Sequence, residues 1–359
     1  MISARMLEAV QCPDCTKTLE RRVADLSCTG CGRHFAADAG YLDLRPATTF
    51  EEQTKYLDHE LHADARHESI APPVLGSKIR NDMLRRFLAP SSSDFVVDLG
   101  CGSGRAIVWN AGCGAAMLGV DISPFFAAEA VDRADLILGD LRRLPLQSGV
   151  FTKAWSLDVL EHLSPQAFHD VLREANRVLV PGGALFIYTH VRKNGWPAAG
   201  VRLVNRLARL IERLGLLDLR QERLRKSDHL NPIADHDELT RVANECGFEI
   251  ERITYYSPII GAFVENILTR MVERWMIRRA RSRSTAQAAT TDAAAPVKAA
   301  RASAQARLRQ GGLLYRALLA VTAAMSLDVW LFGRIRSGPY FALLRKPASG
   351  AGHPSKGAA

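Results

Sequence analysis

The rhythm of apolar and polar positions divides the chain into stretches of different texture. Between residues 91 and 257, short apolar runs alternate with longer segments of helical period. Strands are expected at 95–99, 117–121, 136–139, 152–157, 184–189 and 248–256, with amphipathic helices between them. That alternation marks an α/β fold built on a largely parallel sheet. The punctuation agrees. Ser123-Pro124 and Ser164-Pro165 each set a hydroxyl N-cap before a proline at the first helical position. Asp235 and Glu238 have capping-box spacing, with Asp in place of the usual Ser or Thr. Pro181-Gly182-Gly183 is expected to end one helix and turn into a strand starting at Ala184.

The flanking stretches read differently. Residues 1–46 are Cys-rich with few apolar runs, and 47–90 read as a polar helical lid or linker ending at Pro90. Residues 258–337 form a basic helical insertion, 338–346 a final strand of the core, and 347–359 a disordered Gly/Ala/Pro tail. Within 200–215, Arg202, Arg206, Arg209 and Arg213 share one helical face, and Val204, Leu207, Ile211 and Leu214 line the opposite one. Over 258–279, Phe263, Ile267, Met271 and Trp275 stand at helical spacing beside Arg270, Arg274 and Arg278. A stretch of Ala, Ser, Thr and Arg over 281–306 reads as a flexible linker. A third, apolar helix follows over 313–332, charged only at Arg316 and Asp328. Its longest uncharged run, 317–327, falls short of the ~18 residues that span a bilayer, so no transmembrane segment is expected.

Composition narrows the classes. Of 359 residues, 47% are hydrophobic and 24% charged, which is ample for a core and excludes wholesale disorder. The length suits one large domain with additions, or two domains. A formal net charge of +9 suggests nucleic acid or an anionic membrane as partner. Its placement changes that picture: 258–337 holds 13 Arg/Lys against 4 Asp/Glu, and the remainder of the chain is balanced. The charge therefore belongs to the added helices. The opening residues lack the apolar stretch of a signal peptide. Seven Cys, four at metal spacing, fit a reducing compartment. A cytoplasmic location is expected, peripheral to the inner face of the membrane if the basic helices rest on it.

Cys12-x2-Cys15 and Cys28-x2-Cys31 are two knuckles separated by a short hairpin. Each supplies two soft ligands from one turn, the arrangement of a tetrahedral Zn²⁺ site. Four thiolates leave no open position, so the role is structural. His34 could replace Cys31 but has the poorer spacing.

The strand at 95–99 runs into Gly100, Gly102 and Gly104, at alternate positions. Glycines there let the backbone turn tightly and approach a ligand. The spacing differs from the dinucleotide fingerprint, and no phosphate-binding lysine follows. The next strand ends at Asp121, where a carboxylate can accept the hydroxyls of a ribose.

The ordered runs D-L-G-C-G-S-G-R, G-V-D-I-S, G-D-L-R-R-L-P, D-V-L-E-H-L and R-V-L-V-P-G-G resemble the class I S-adenosylmethionine (SAM) methyltransferases. The likeness is to the broad type 11, or ubiquinone/menaquinone methyltransferase-like, group, and it covers roughly 91–257. It implies a Rossmann-like seven-stranded sheet in which 338–346 is the antiparallel strand. It also implies that Asp98 and the backbone of Gly100, Gly102 and Gly104 face the methionine part of SAM. Asp121, with Ile122 beside it, would hold the ribose; Asp140 would accept from the adenine amino group with Leu141 beside the ring; Leu157 would close the methionine side.

SAM brings its own leaving group, so positioning in a dry pocket supplies much of the rate. A base is needed only for a protonated acceptor. His162 and His190 lie where parallel strands end and are the catalytic candidates; His229 and His236 stand behind them. Asp158-x-x-Glu161-His162 resembles the E-x-x-E-H metal cluster of some O-methyltransferases and RNA 3′-end methyltransferases. The plain E-H-L form is common in metal-free type 11 members, so Mg²⁺ is not expected. The acceptor expected is a small or lipid-like molecule, met in part at a membrane surface. A first alternative is an rRNA base: the C-P-x-C start and the run over 34–44 resemble zinc-ribbon rRNA guanine methyltransferases, although the 281–306 stretch has no aromatic residue for base stacking. A second is a non-catalytic scaffold on the SAM fold.

Overall fold

A computed structural model of the chain describes residues 3–22, 25–36, 40–47, 70–219, 223, 229–283, 308 and 310–348. Half of the 47–90 lid and most of the 281–306 linker and of the 347–359 tail lie outside the described residues.

The N-terminal part holds α1 (Ala4–Ala9), β1 (Leu19–Arg21), β2 (Asp25–Cys28), β3 (His34–Ala36) and β4 (Leu42–Asp43). The central part runs α2 (Leu75–Leu88), β5 (Phe95–Leu99), α3 (Arg105–Asn110), β6 (Ala116–Asp121), α4 (Ala128–Arg133), β7 (Asp135–Leu138), β8 (Phe151–Leu157), α5 (Pro165–Val178) and β9 (Leu179–His190). It continues through α6 (Ala198–Arg213), α7 (His236–Glu245), β10 (Glu249–Tyr255), α8 (Ile259–Phe263), α9 (Thr269–Arg283), α10 (Leu313–Phe332) and β11 (Pro339–Arg345).

Strands β1, β2 and β3 make a small antiparallel sheet, and the other eight form one mixed sheet in the order β10-β11-β9-β8-β5-β6-β7-β4. The strands from β9 to β4 in that order pair parallel, and β11 enters antiparallel between β9 and β10. Both faces are covered, which is why the central strands read as near-continuous apolar runs. Their side chains alternate between two cores. Val97, Leu99, Leu118, Val120 and Ile187 pack with α5 and α7; Val96, Met117, Leu136, Phe186 and Phe341 pack with α2, α3 and α4.

Four expectations are revised. Ser123-Pro124 starts no helix: α4 runs from Ala128 with Ala127 at its N-cap. The sheet has an eighth strand, because β4 closes the free edge of β7: Leu42 and Leu44 are fully buried, and Leu44 N–H donates to the Leu138 carbonyl at 2.9 Å. Pro181-Gly182-Gly183 is not a helix terminator. Helix α5 stops at Val178, and β9 begins at Leu179 and bulges, so that Leu179 pairs with Phe151 while Ala184 pairs with Lys153. Gly182 supplies the positive φ (78°) of that bulge. In α6 the buried side carries Ala208 with Val204 and Ile211 against it, whereas Leu203, Leu207, Leu210 and Leu214 are exposed alongside the arginines. Leu207 and Leu214 thus belong to the outer face.

The C-terminal helices form a cap over α2. Helix α8 packs against both α6 and α10, and α10 packs on α2. At 20 residues and mean hydropathy 1.4, α10 is long and apolar enough to cross a membrane by length and composition. Two of its polar side chains, Asp328 and Thr322, nevertheless work inside the protein. Asp328, fully buried, accepts the N–H groups of Ile260 (3.1 Å) and Gly261 (2.8 Å) at the start of α8. Thr322 accepts the N–H of Leu75 at 2.8 Å, capping α2. Replacing Asp328 by Ala leaves two buried donors unanswered. Urea unfolding should show a loss of about 1–3 kcal/mol, with Asp328→Asn intermediate.

Candidate active site

The glycine loop joins β5 to α3 with all three glycines in the left-handed region: Gly100 at 81°, Gly102 at 53° and Gly104 at 82°. Two of them also permit close packing. A side chain at Gly100 would overlap Val159, and one at Gly104 would come within 2.5 Å of the Ala130 Cβ. Gly102 has nothing within 4 Å and is exposed, so its backbone faces open space.

Asp121, at the end of β6, fixes this loop. Its Oδ2 accepts the N–H of Gly102 at 2.7 Å and its Oδ1 that of Ser123 at 2.9 Å. Burial raises its pKa, and those N–H groups pull the other way. Ile122 follows directly, half-buried. Asp98, in β5, is buried, and its carboxyl is pushed up to about 7 by burial and by Asp121. The neighbouring Trp155 indole pulls downward without making a well-formed hydrogen bond. Asp98 Oδ2 and Trp155 Nε1 have no hydrogen-bond partner among the described residues. Asp140, after β7, accepts from the backbone and guanidinium of Arg142 at 2.9 and 3.1 Å, a turn-stabilising arrangement. Leu141 packs partly buried on one core, and Leu157 ends β8 against the other. The nominated residues therefore gather at the carboxyl ends of β8, β5, β6 and β7, the crevice where open α/β sheets bind ligands.

A second group sits at the ends of β8 and β9. Glu161 lies in a single-turn 3-10 helix (Leu160–His162) and is 1% exposed. Its Oε2 accepts the Thr189 hydroxyl at 2.9 Å, and its backbone carbonyl accepts the N–H groups of Leu230 (2.8 Å) and Asn231 (2.9 Å). Burial, together with Asp158, pushes the carboxyl up to about 8. The His190 Nδ1 is 3.7 Å from Glu161 Oε1. The His162 ring meets His229 edge-on at 4.6 Å between centroids, and His190 is 5.9 Å from His229. His162, His190 and His229 thus converge. His236 does not join them; its Nε2 contacts the Ser337 carbonyl at 2.7 Å in the interior.

Asp158 also departs from the grouping that its spacing suggests. It sits in the left-handed region (φ 56°), and its carboxylate faces Arg80 Nε at 3.3 Å. Arg80, from α2, lies over the Tyr188 ring at 5.4 Å. Burial opposes its charge, but Asp158 and nearby groups hold the guanidinium above its ordinary pKa. Sequence reasoning missed Arg80 and Tyr188, because no local spacing links α2 to β8 and β9.

At the N-terminus the four cysteines converge. One ligand atom from each of Cys12, Cys15, Cys28 and Cys31 lies within 4.8 Å of the others. Cys12 and Cys31 are 3.7 Å apart and Cys15 and Cys28 3.3 Å, close to the ~3.8 Å edge of a tetrahedron of metal–thiolate bonds. Although burial opposes it, the N–H groups of Cys31 and Gly30 favour the Cys28 thiolate, which titrates near 6. His34 is engaged by Asp25 at 2.9 Å. The cluster is joined to the ligand crevice: the Asp14 carbonyl accepts from Arg143 at 2.9 Å, and Gln11 N–H donates to the Pro145 carbonyl at 3.0 Å.

Residues 97–187 match a family described as methyltransferase domain, Methyltransf_11. A methyltransferase of Synechocystis is 32% identical over 112 residues, which is 30% of this chain and 53% of that protein. A sterol 4-C-methyltransferase of Caenorhabditis elegans is 28% identical over 109 residues, 28% of this chain and 32% of that protein. The chain thus spans about half or less of the length of these curated relatives. Among solved structures, a phosphoethanolamine N-methyltransferase 2 of Haemonchus contortus has a TM-score of 0.47 at 17% identity, covering 83% of this chain and 62% of that one.

Proposed function

We propose that this chain, whose residues 97–187 are a class I SAM methyltransferase domain, transfers a methyl group from SAM to a lipid-like small molecule met at a membrane surface. The observation that carries the cofactor is the glycine loop tied to Asp121 across the ends of the central parallel strands. The residues present fit SAM. Asp98 offers a buried carboxylate oxygen without a partner, suited to a cationic amino-acid moiety, and Gly102 presents an open backbone. Asp98, Gly100, Gly102, Gly104 and Leu157 would hold the methionine part, and Asp121 and Ile122 the ribose. Asp140 and Leu141 would hold the adenine. When bound, SAM supplies a methyl group on a sulfonium that leaves as a neutral thioether. The protein's task is orientation and exclusion of water. His190, beside buried Glu161, is placed to take a proton from a protonated acceptor.

The acceptor reading rests on the helical cap. Helix α6 exposes Leu203, Leu207, Leu210 and Leu214 next to Arg202, Arg206, Arg209 and Arg213. Trp275 and Trp330 are exposed on the same group of helices, and Trp196 is exposed in the turn before α6. Leucines, tryptophans and arginines side by side suit the boundary between anionic headgroups and acyl chains. The matched C. elegans relative acts, by its name, on sterols, which are apolar acceptors. The four-cysteine cluster would hold a structural Zn²⁺ that rigidifies the N-terminal sheet against the crevice.

Calorimetry should show SAM binding to the wild-type protein and none to Asp121→Ala with folding intact; equal affinity would remove the cofactor assignment. Methyl label from SAM, incubated with fractionated lysate, should then enter the organic-soluble fraction, and label in RNA would favour the rRNA reading. Metal analysis should return one cysteine-bound zinc, lost in Cys28→Ser. The protein should sediment with anionic but not zwitterionic vesicles, and Leu203→Ser/Leu210→Ser should weaken that binding at least ~10-fold, given ~0.8 kcal/mol per buried methylene.

A further inference from the structure

The spacing Asp158-x-x-Glu161-His162 suggests two carboxylates and one imidazole on a turn, the hard, oxygen-rich set that suits magnesium. Folding redistributes these groups. Asp158 faces Arg80, and His229, distant in sequence, meets the His162 ring. One ligand atom from each of Glu161, His162 and His229 lies within 4.8 Å of the others. We propose that these three residues bind a divalent transition-metal ion of the zinc, cobalt or iron type at the acceptor end of the crevice.

Three features carry the assignment. The donor set is two imidazole nitrogens and one carboxylate oxygen, which selects borderline metals over magnesium or calcium. The ligands are held in place from outside the cluster. Thr189 takes Glu161 Oε2 and so orients Oε1, and the N–H groups of Leu230 and Asn231 fasten the segment after His229 to the Glu161 carbonyl. One residue thus supplies a ligand from its side chain and positions another through its backbone. Finally, Glu161 is a carboxylate with 1% exposure, and a divalent cation compensates the cost of keeping it ionised there.

Three protein ligands leave positions open, as in catalytic rather than structural metal sites. An oxygen of the acceptor (hydroxyl, carboxylate or phosphate) is the fitting further ligand, held at the ends of β8 and β9 beside the SAM crevice. This acceptor role rests on the methyl-transfer reading; the metal site does not.

The test uses full-length protein with its cysteine site loaded with zinc, titrated with Co²⁺. One equivalent should bind with ligand-field absorption and no thiolate charge-transfer band. His229→Ala and Glu161→Gln should each weaken binding at least ~10-fold. Asp158→Asn should leave it within twofold. The absence of Co²⁺ uptake outside the cysteine site would overturn the proposal, as would unchanged affinity in His229→Ala or loss of binding in Asp158→Asn. Far-UV circular dichroism on each variant separates ligand loss from unfolding. SAM calorimetry on the same samples reads the methyl-transfer assignment independently: cobalt binding without SAM binding removes that assignment and leaves the metal site standing.

Discussion

The carboxylate of Asp121 has to be answered, because it sits at the end of a strand packed between two covered faces of the sheet. The backbone answers it. Gly102 and Ser123 donate from either side, so the glycine loop after β5 and the segment after β6 become one rigid edge. Carboxylate oxygens that each accept one N–H keep lone pairs to offer, so the tether leaves Asp121 able to accept further hydrogen bonds. Closure of the loop against its neighbours follows from the same arrangement. Val159 occupies the space a side chain at Gly100 would take, and Ala130 the space at Gly104. The ends of four strands are thereby held in register around one crevice.

The acceptor side is built differently. Its shape depends on α2, whose N-terminus is bound by groups from the far end of the chain. Thr322 accepts the N–H of Leu75, and Glu265 that of Gly76 at 3.2 Å. Leu75 takes a positive φ of 53° to meet them. The same helix delivers Arg80 to Asp158 and Tyr188, at the mouth of the site. Helices that cap the molecule and residues that line the crevice are therefore mechanically one piece, connected through α2. A change in how α10 sits would be felt at Asp158 without any direct contact between them.

Much of this was legible in the chain, and for local reasons. Strands buried on both faces give uninterrupted apolar runs, so 95–99 was read to the residue. Ser164 does cap α5, accepting the N–H of Ala167, and Asp235 caps α7. Local punctuation failed at Ser123-Pro124, where α4 begins only at Ala128, and at Pro181-Gly182-Gly183, which bulges a strand; the rest that escaped depends on partners distant in sequence. Two residues, Leu42 and Asp43, cannot announce a strand, since their pairing exists only because β7 has an open edge. The outward leucines of α6 carry the same helical period as its inward side chains, and only the packing against Leu217, Leu219 and Ile267 shows which side is buried. Arg80 has no spacing signature at all, and His229, although one of the histidine candidates, has none that joins it to Glu161 and His162.

The charge excess gains its meaning from this division. Thirteen Arg/Lys against four Asp/Glu lie in 258–337, and the three acidic side chains among the described residues are engaged within the protein: Asp328 on α8, Glu265 on α2 and Glu273 on Arg270 at 2.7 Å. Around the crevice the buried ionisable groups are mainly carboxylates, Asp98, Asp121 and Glu161, each raised by burial. A cation beside these carboxyls would favour their ionised forms, and Arg80 already pairs with Asp158.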